Sequence, residues 1–270
     1  MERTYRLTAH PILREPFLIA AWPGIANVAI LTADYFMRHL PFKELAQIKD
    51  SHFFDPIGVN IKNGFVEEPR FPESRFYYYK NDSKEKDLIL FMGEDQPKNK
   101  AYEMAHTITD LAIRFGVKRI YTCAAALTHI HHTEVSRVWS AYTDRTTAEE
   151  LAGRADLHNG GNFQISGLNG ILLGVAKERG ISAACLLGEV PSYAAKMNNP
   201  QASLAILKIL SNLVGVNINT VEMEKNVQEA KEKIKQVTDE AMGDYIDFFT
   251  EPIWESDEFD NDDNEEKRER

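Results

Sequence analysis

Short apolar runs alternate with amphipathic stretches between residues 17 and 215. Four mostly apolar runs predict strands buried on both faces of a sheet, at residues 17–21, 87–92, 119–124 and 183–187. The stretches between them space their apolar residues at helical intervals and predict helices at about 27–39, 101–115, 168–179 and 200–214. This alternation predicts an α/β domain with three layers, αβα, in which helices cover both faces of a mostly parallel sheet.

Residues with special backbone preferences mark the helix ends. Asn199 followed by Pro200 predicts an N-cap with proline at the first helical position, and Ser166 predicts the N-cap of the helix before it. Glycines predict three C-terminal stops, at Gly116, Gly180 and Gly215.

Other stretches are less regular. Residues 44–80 contain two small strand candidates, 58–61 and 75–79, separated by Pro, Gly and Asn, which suggests a β-rich insertion at a sheet edge. Residues 135–141 predict a further strand, and 147–152 predict a short helix.

The pattern changes at residue 219. From there to residue 249, apolar residues recur every three or four positions among Lys and Glu, which predicts a long amphipathic helix over 219–250. Two interpretations stay open, because this helix could pack on its own domain or on a partner. Residues 255–270 contain one apolar residue and predict a disordered acidic tail. The expected organisation is a domain over 1–215, the helix, and the tail.

Charge narrows the classes of partner. The 270 residues carry a net charge of −10, and nine acidic against three basic residues in 255–270 account for six of those charges. The remaining body is close to neutral and shows no basic stripe, so we expect no nucleic-acid binding. The longest uncharged stretch, 16–33, is interrupted by Pro23, Gly24 and Asn27, so we expect no membrane span.

The N-terminal residues spread charges where a secretory signal needs an apolar run, so we expect a cytoplasmic protein. Cys123 and Cys185 lie inside apolar runs, which predicts two buried free thiols.

Five loops are expected at one sheet edge, because ligands gather where parallel strands end and helices begin. They comprise residues 22–27, 93–96, 124–126, 160–170 and 188–193. Tight turns explain the glycines of each loop taken singly, but the convergence of the loops favours a pocket. The candidate pocket residues are Trp22, Gly24, Asn27, Gly93, Glu94, Asp95, Ser166, Gly167, Asn169, Gly170, Glu189 and Tyr193.

Familiar chemical motifs do not fit these loops. The spacing of the glycines from 160 to 170 matches neither a P-loop nor a dinucleotide fingerprint, so we expect no nucleotide cofactor. Ser166 lacks the glycine two positions earlier that a nucleophile elbow requires, and the N-cap role explains it better.

Two sets of side chains carry weaker hypotheses. One cluster resembles a set of metal ligands: His129, His131 and His132. Only Glu134 stands at ligand spacing beside them, so a solvated loop is favoured and no metal is expected. Three carboxylates would be acid–base candidates if they met in one cleft: Glu94, Asp95 and Glu189.

The sequence of this chain resembles the proteasome assembly chaperone two family over roughly residues 10–215. The likeness begins at PFLIAAWPGIANVAILTADYFMRHL and continues through DLILFMGEDQP and RIYTCAAALTHIHHT. It is most specific from NFQISGLNG through GEVPSYAAKMNNPQASLAILKIL. The resemblance implies a phosphorylase/hydrolase-like αβα domain followed by a C-terminal helix, and a chaperone role in building the proteasome core particle.

Two functions follow as hypotheses. The first is a non-enzymatic, homo-oligomeric assembly protein that binds proteasome subunits or another protein. The alternative is a small-molecule-binding protein or phosphorylase/hydrolase-like enzyme that uses the pocket at the carboxyl edge of the sheet, by analogy of fold.

Overall fold

The computed structural model describes residues 4–56, 58–82, 86–152, 157–159 and 162–250, and only the backbone of 157–159 and 241–250. The strands are β1 (Tyr5–Leu7), β2 (Phe17–Ala21), β3 (Lys43–Ile48), β4 (Ile61–Lys62), β5 (Phe65–Val66), β6 (Ser74–Tyr79), β7 (Leu88–Gly93), β8 (Arg119–Thr128), β9 (Val138–Tyr142), β10 (Leu157–Asn159) and β11 (Ser182–Pro191). The helices are α1 (Val28–His39), α2 (Asp50–Phe53), α3 (Ala101–Arg114), α4 (Arg145–Leu151), α5 (Gly167–Glu178), α6 (Pro200–Val214) and α7 (Val221–Thr250).

In the described residues, nine strands form one sheet in the order β1-β3-β6-β7-β2-β8-β11-β9-β10. The four central strands, β7, β2, β8 and β11, are parallel to one another, as the apolar runs predict. Toward one edge β6, β3 and β1 are antiparallel additions, and toward the other edge β9 is antiparallel to β11. The α/β class is confirmed, but the whole sheet is mixed rather than mostly parallel.

Burial on both faces explains why the central strands are uniformly apolar. In β2, Phe17 and Ile19 point into a cluster with α1 and α6, while Leu18 and Ala20 point into a cluster with α3 and α5. A polar side chain at any of these positions would lie in one of the two cores. The three layers are therefore α1 with α6, the sheet, and α3 with α5.

The ends of α6 confirm their sequence signals. The Asn199 side chain accepts a hydrogen bond from the Ala202 N–H at 2.9 Å, and Pro200 occupies the first turn. Gly215 ends the helix in the left-handed region, with φ of 73°. The predicted cap at Ser166 is different, because Ser166 occupies the N-cap position of α5 but makes no capping hydrogen bond through its side chain.

Strands β8 and β11 are longer than the apolar runs predict. Each has ten residues, and they pair along their full length. The residues from Gly188 to Pro191, which the sequence places in a loop, therefore belong to β11. Gly188 and Pro191 made this extension look like a turn, but its backbone pairs with β8.

The insertion between β3 and β6 contains a small hairpin of β4 and β5. Asn63 and Gly64 both have positive φ values, 51° and 83°, as a two-residue hairpin turn requires. The predicted strand at 58–61 is thus displaced toward the turn, and the predicted strand at 75–79 corresponds to β6.

The first half of α7 lies on α6. Met223 and Val227 are buried in the core cluster on this face, and the Tyr35 hydroxyl donates to the Asn219 carbonyl at 2.8 Å just before the helix. The expected acidic tail over 255–270 lies outside the described residues.

Candidate functional site

A cavity of about 380 Å³ lies where the central strands end. The turn after β2, the upper part of β8 and the start of α5 surround it. Five of the twelve predicted pocket residues line it: Trp22, Gly24, Ser166, Gly167 and Asn169. A cavity of this volume lies within the range of small-molecule sites.

Gln96 joins three parts of this cavity. Its side-chain amide donates to the Pro23 carbonyl at 3.0 Å, and its Oε1 accepts from the Leu168 N–H at 3.1 Å. The glutamine thereby supplies the capping interaction at the start of α5 that Ser166 does not make. Gly167 is required here, since its φ is +70° and a Cβ would lie 2.9 Å from Gln96 Oε1.

The turn after β2 is held in an uncommon backbone conformation. Ala26 and Asn27 both have φ of 53°, in the left-handed region that costs non-glycine residues free energy. Hydrogen bonds to Ala195 and Asn199 hold the Ala26 backbone, and Asn27 Nδ2 donates to Asn198 Oδ1 at 2.8 Å. Asn27 therefore anchors the turn from outside the cavity.

Two further predicted residues border the cavity without lining it. Gly170 lies on the first turn of α5, where a Cβ would come 2.0 Å from the Ile165 carbonyl oxygen, so only glycine fits. Gly93 ends β7 beside Trp22, and a Cβ there would lie 3.8 Å from the Trp22 Cβ.

Glu94 and Asp95 lie in a different place, an open groove of about 690 Å³ beside α2 and the residues before β6. Glu94 accepts a hydrogen bond from the Glu73 N–H at 2.9 Å, and Asp95 accepts from the Gln96 N–H at 2.7 Å. Asp50 shares the groove, and burial raises its pKa to about 7.

The raised pKa of Asp50 predicts a pH-dependent gain in stability for Asp50→Asn. The folded protein keeps this proton up to about pH 7, whereas the ordinary value is 3.8, so the cost of ionising Asp50 grows as the pH rises between them. Because the side chain is only half-buried and screened by solvent, we expect Asp50→Asn to gain about 1 kcal/mol more at pH 8 than at pH 5. Thermal unfolding at both pH values checks this. The exposed neighbour provides a control, Asp55→Asn, and an equal gain at both pH values would contradict the assignment.

Glu189 is remote from that groove, and its negative charge is paired with Arg137. Its side chain is 1% exposed and accepts hydrogen bonds from Arg137 Nε at 3.0 Å and from Trp139 Nε1 at 3.0 Å. Burial alone would raise the pKa of Glu189, but the hydrogen bonds from Arg137 and Trp139 outweigh it and hold the pKa below its usual value. The structure therefore does not bring Glu94, Asp95 and Glu189 into one cleft.

Tyr193 contacts the histidine loop after β8 instead of the cavity. The Tyr193 hydroxyl accepts from the His132 N–H at 2.9 Å and lies 3.0 Å from His132 Nδ1. Burial, with His131 nearby, lowers the pKa of His132. Within the described ranges, no three His, Cys, Asp or Glu side chains are grouped to hold a metal ion.

The two thiols are buried and free, as the sequence predicts. Cys123 lines the cavity, but burial and then the neighbouring Cys185 raise the pKa of its thiol well above its usual range. Burial also raises the pKa of Cys185, to about 12. Both thiols stay protonated near neutral pH, which disfavours a role as nucleophile.

Comparison with known proteins decides the family. A sequence model of the PAC2 family matches residues 18–238. The chain belongs to the PAC2 family. In the part of the chain that the structure describes, none of the helices of this PAC2 protein is long and apolar enough to span a membrane.

Three relatives illustrate the likeness. "Uncharacterized protein MJ1210" of Methanocaldococcus jannaschii is 27% identical over 236 residues, which cover 85% of this chain and 87% of the relative. Pyrococcus furiosus PbaB, described as an archaeal proteasome activator, is 27% identical with a TM-score of 0.74, covering 87% of this chain and 98% of PbaB. Pyrococcus furiosus PbaA, described as an archaeal homolog of proteasome-assembly chaperone, is 20% identical with a TM-score of 0.65, covering 86% and 96%. At that identity, PbaA shows the shared fold alone.

Sequence reasoning missed the residues that hold the PAC2 site together. Gln96 follows an apolar run like many loop glutamines, and nothing in its local sequence shows that it contacts two distant loops. Arg137 and Trp139 are two residues apart in and before β9, so both can face the same neighbouring side chain. That spacing was a usable signal, but its partner, Glu189, is 50 residues away.

Proposed function

We propose that this protein is a protein-binding, assembly-chaperone-like member of the PAC2 family that acts on proteasome subunits. The observation that carries the proposal is the similarity to PbaB, at 27% identity over 98% of that chain. We also propose that it works in the cytoplasm as a homo-oligomer, since binding of multi-subunit partners favours repeated contact surfaces.

The hairpin of β4 and β5 supports a protein-binding role. All nine residues from 58 to 66 are exposed. Ile61 and Val66 are directly paired across the hairpin, so they share one face, and they are 70% and 69% exposed. An isolated two-stranded hairpin is marginally stable in water, and exposed apolar patches mark interaction surfaces. The hairpin therefore presents an apolar face suited to another protein.

The double variant Ile61→Ser/Val66→Ser tests this surface. We expect the amount of proteasome subunit recovered in a pull-down to fall at least about tenfold. Each aliphatic side chain buried at an interface contributes about 1.5–3 kcal/mol to the free energy of binding, and the variant removes two. Unfolding stability should stay within about 0.5 kcal/mol of wild type, since both side chains are exposed. Lys62→Ser, on the opposite face of the hairpin, is the matched control.

Affinity purification from the native host tests the partner itself. Recovery of proteasome α or β subunits with wild-type protein is the expected result, and light scattering of the purified protein should give more than one chain per particle. Purification without any proteasome subunit would contradict the proposal that the partner is the proteasome. Equal recovery with the double variant would remove the hairpin from the interface while leaving the partner in place.

A further inference from the structure

Strand β8 extends beyond its neighbour β2. It pairs with β11 over all ten residues, from Arg119 to Thr128. Its pairing with β2 covers only four residues and ends where Ala20 pairs with Thr122. Among the described residues, no strand pairs with β8 on the β2 side beyond that point. The second half of β8 is therefore an open strand edge inside the sheet.

The ladder identifies which residues face this edge. The Phe17 N–H donates to the Asp87 carbonyl on the β7 side, so Leu18 and Ala20 face β8. Because Ala20 pairs with Thr122, its backbone bonds to the residues on either side, 121 and 123. Odd-numbered residues of β8 thus face β2.

The β11 side gives the same answer. Ala183 bonds to Thr143 on the β9 side through both its N–H and its carbonyl, so the even-numbered residues of β11 face β8. Their pairing directs residues 122, 124 and 126 of β8 toward β11. The groups directed to the open side are the Cys123 carbonyl, both backbone groups of Ala125, and the Leu127 N–H.

The turn after β2 does not cover these groups. The backbone of this turn instead bonds to residues elsewhere. The Ala26 N–H donates to the Ala195 carbonyl at 3.1 Å, and the Ala26 carbonyl accepts from the Asn199 N–H at 3.0 Å. The cavity lies between this turn and β8, and Cys123 and Ala125 line it. Small side chains at 124–126, all half-buried, leave the strand approachable.

The other walls indicate the chemistry of the occupant. All the described side chains that line the cavity are uncharged, and most are apolar or small. Asn169 lines the opposite wall, and its Oδ1 is buried without a hydrogen-bond partner among the described residues. A buried acceptor of this kind requires a donor, which a backbone N–H or a neutral polar group supplies.

We propose that this cavity binds an extended, uncharged segment of a partner protein, which pairs with β8 as an added strand. An extended backbone matches the spacing of the open groups from Cys123 to Leu127, a span of about 13 Å. Main-chain hydrogen bonds to the strand edge provide affinity, and the apolar walls select side chains. The proposal rests on the proposed function only in requiring a protein partner, and it does not depend on the hairpin or on the proteasome.

Selection from a phage-displayed library of random linear dodecapeptides on the purified protein tests the proposal. We expect enriched peptides to carry an uncharged, largely apolar core, and a synthetic copy to bind in calorimetry. Ala125→Pro should weaken binding of that peptide at least about tenfold, because it removes the N–H on the open side and leaves the β11 ladder intact. Ala125→Ser, which keeps the N–H and adds one hydroxyl, should lose clearly less affinity for the peptide than Ala125→Pro does.

Amide hydrogen exchange of the wild-type protein provides a test without substitution. In the free protein, the amides of Ala125 and Leu127 should exchange faster than those of Ala124 and Ala126, and the peptide should slow only the first pair. A library that enriches nothing, a peptide that binds Ala125→Pro as tightly as wild type, or unchanged exchange would overturn the proposal. A small metabolite that co-purifies and blocks the peptide without protecting these amides would also overturn it. Loss of proteasome recovery alone would leave this result unaffected.

Discussion

Replacing Gly188 with alanine should lower the free energy of unfolding by roughly 3 kcal/mol. Gly188 lies in β11 directly against α6, and a Cβ built on it would be 2.8 Å from the Ala202 Cβ and 2.9 Å from the Ala202 carbonyl oxygen. The obstacle includes backbone, which cannot rotate away, so either α6 or β11 must shift. Overpacking of this kind costs about 1–3 kcal/mol, and displacement of a helix backbone belongs at the upper end.

Gly174→Ala is the matched control, measured by the same denaturant titration. Gly174 is in the middle of α5, and a Cβ there meets nothing within 4 Å. Its substitution should stabilise the protein by about 0.5–1 kcal/mol, because alanine favours helix. If Gly188→Ala proved as stable as wild type, the close approach of β11 to α6 would be wrong.

Glu189→Ala should destabilise the protein by about 3 kcal/mol. Glu189 joins β11 to the residues before and within β9, through Arg137 and Trp139. Removing the carboxylate leaves the Trp139 Nε1 and the Arg137 backbone N–H without their acceptor, and Arg137 without its counter-charge. Chemical denaturation at pH 7 measures the loss, and a change below about 1 kcal/mol would contradict this structural role.

The pH dependence of Glu189→Gln separates charge from shape. Because the folded-state pKa of Glu189 lies below its ordinary value of 4.5, its ionised form contributes stability above that value, which is lost as the pH falls through the folded-state pKa. The stability difference between wild type and Glu189→Gln should therefore be largest near pH 7 and shrink below about pH 4.5. A difference that stays constant from pH 7 to pH 3 would exclude the charge of Glu189 as its cause.

These roles show where local sequence is informative. The apolar run at 17–21 predicted a central strand because both of its faces are buried, which permits no polar position. The Asn199–Pro200 pair predicted the start of α6 because capping involves only neighbouring residues. The shared edge of the strand ends could also be predicted, because the carboxyl ends of parallel strands lie at the same edge of a sheet.

Long-range pairing set the limits of prediction. Glu189 looked like a loop carboxylate because Gly188 and Pro191 flank it, yet β8 and β9 hold this segment in the sheet. Ser166 has the local features of an N-cap, but Gln96, which is 72 residues before Leu168, accepts the hydrogen bond from the Leu168 N–H at the start of α5. The sequence placed three carboxylates near one edge, and only the fold separates Glu94 and Asp95 from Glu189.

The amino-acid sequence by itself determined the layered α/β class, the central strands and the helix starts, because periodicity and capping act within a few residues. The tertiary structure alone decided the antiparallel edges of the sheet, the neutralisation of Glu189 by Arg137, and the open edge of β8 beyond Thr122. Each of these depends on which strand ends first and which segment lies beside it. Contacts between residues far apart in the chain fix those relations, and no local pattern carries them.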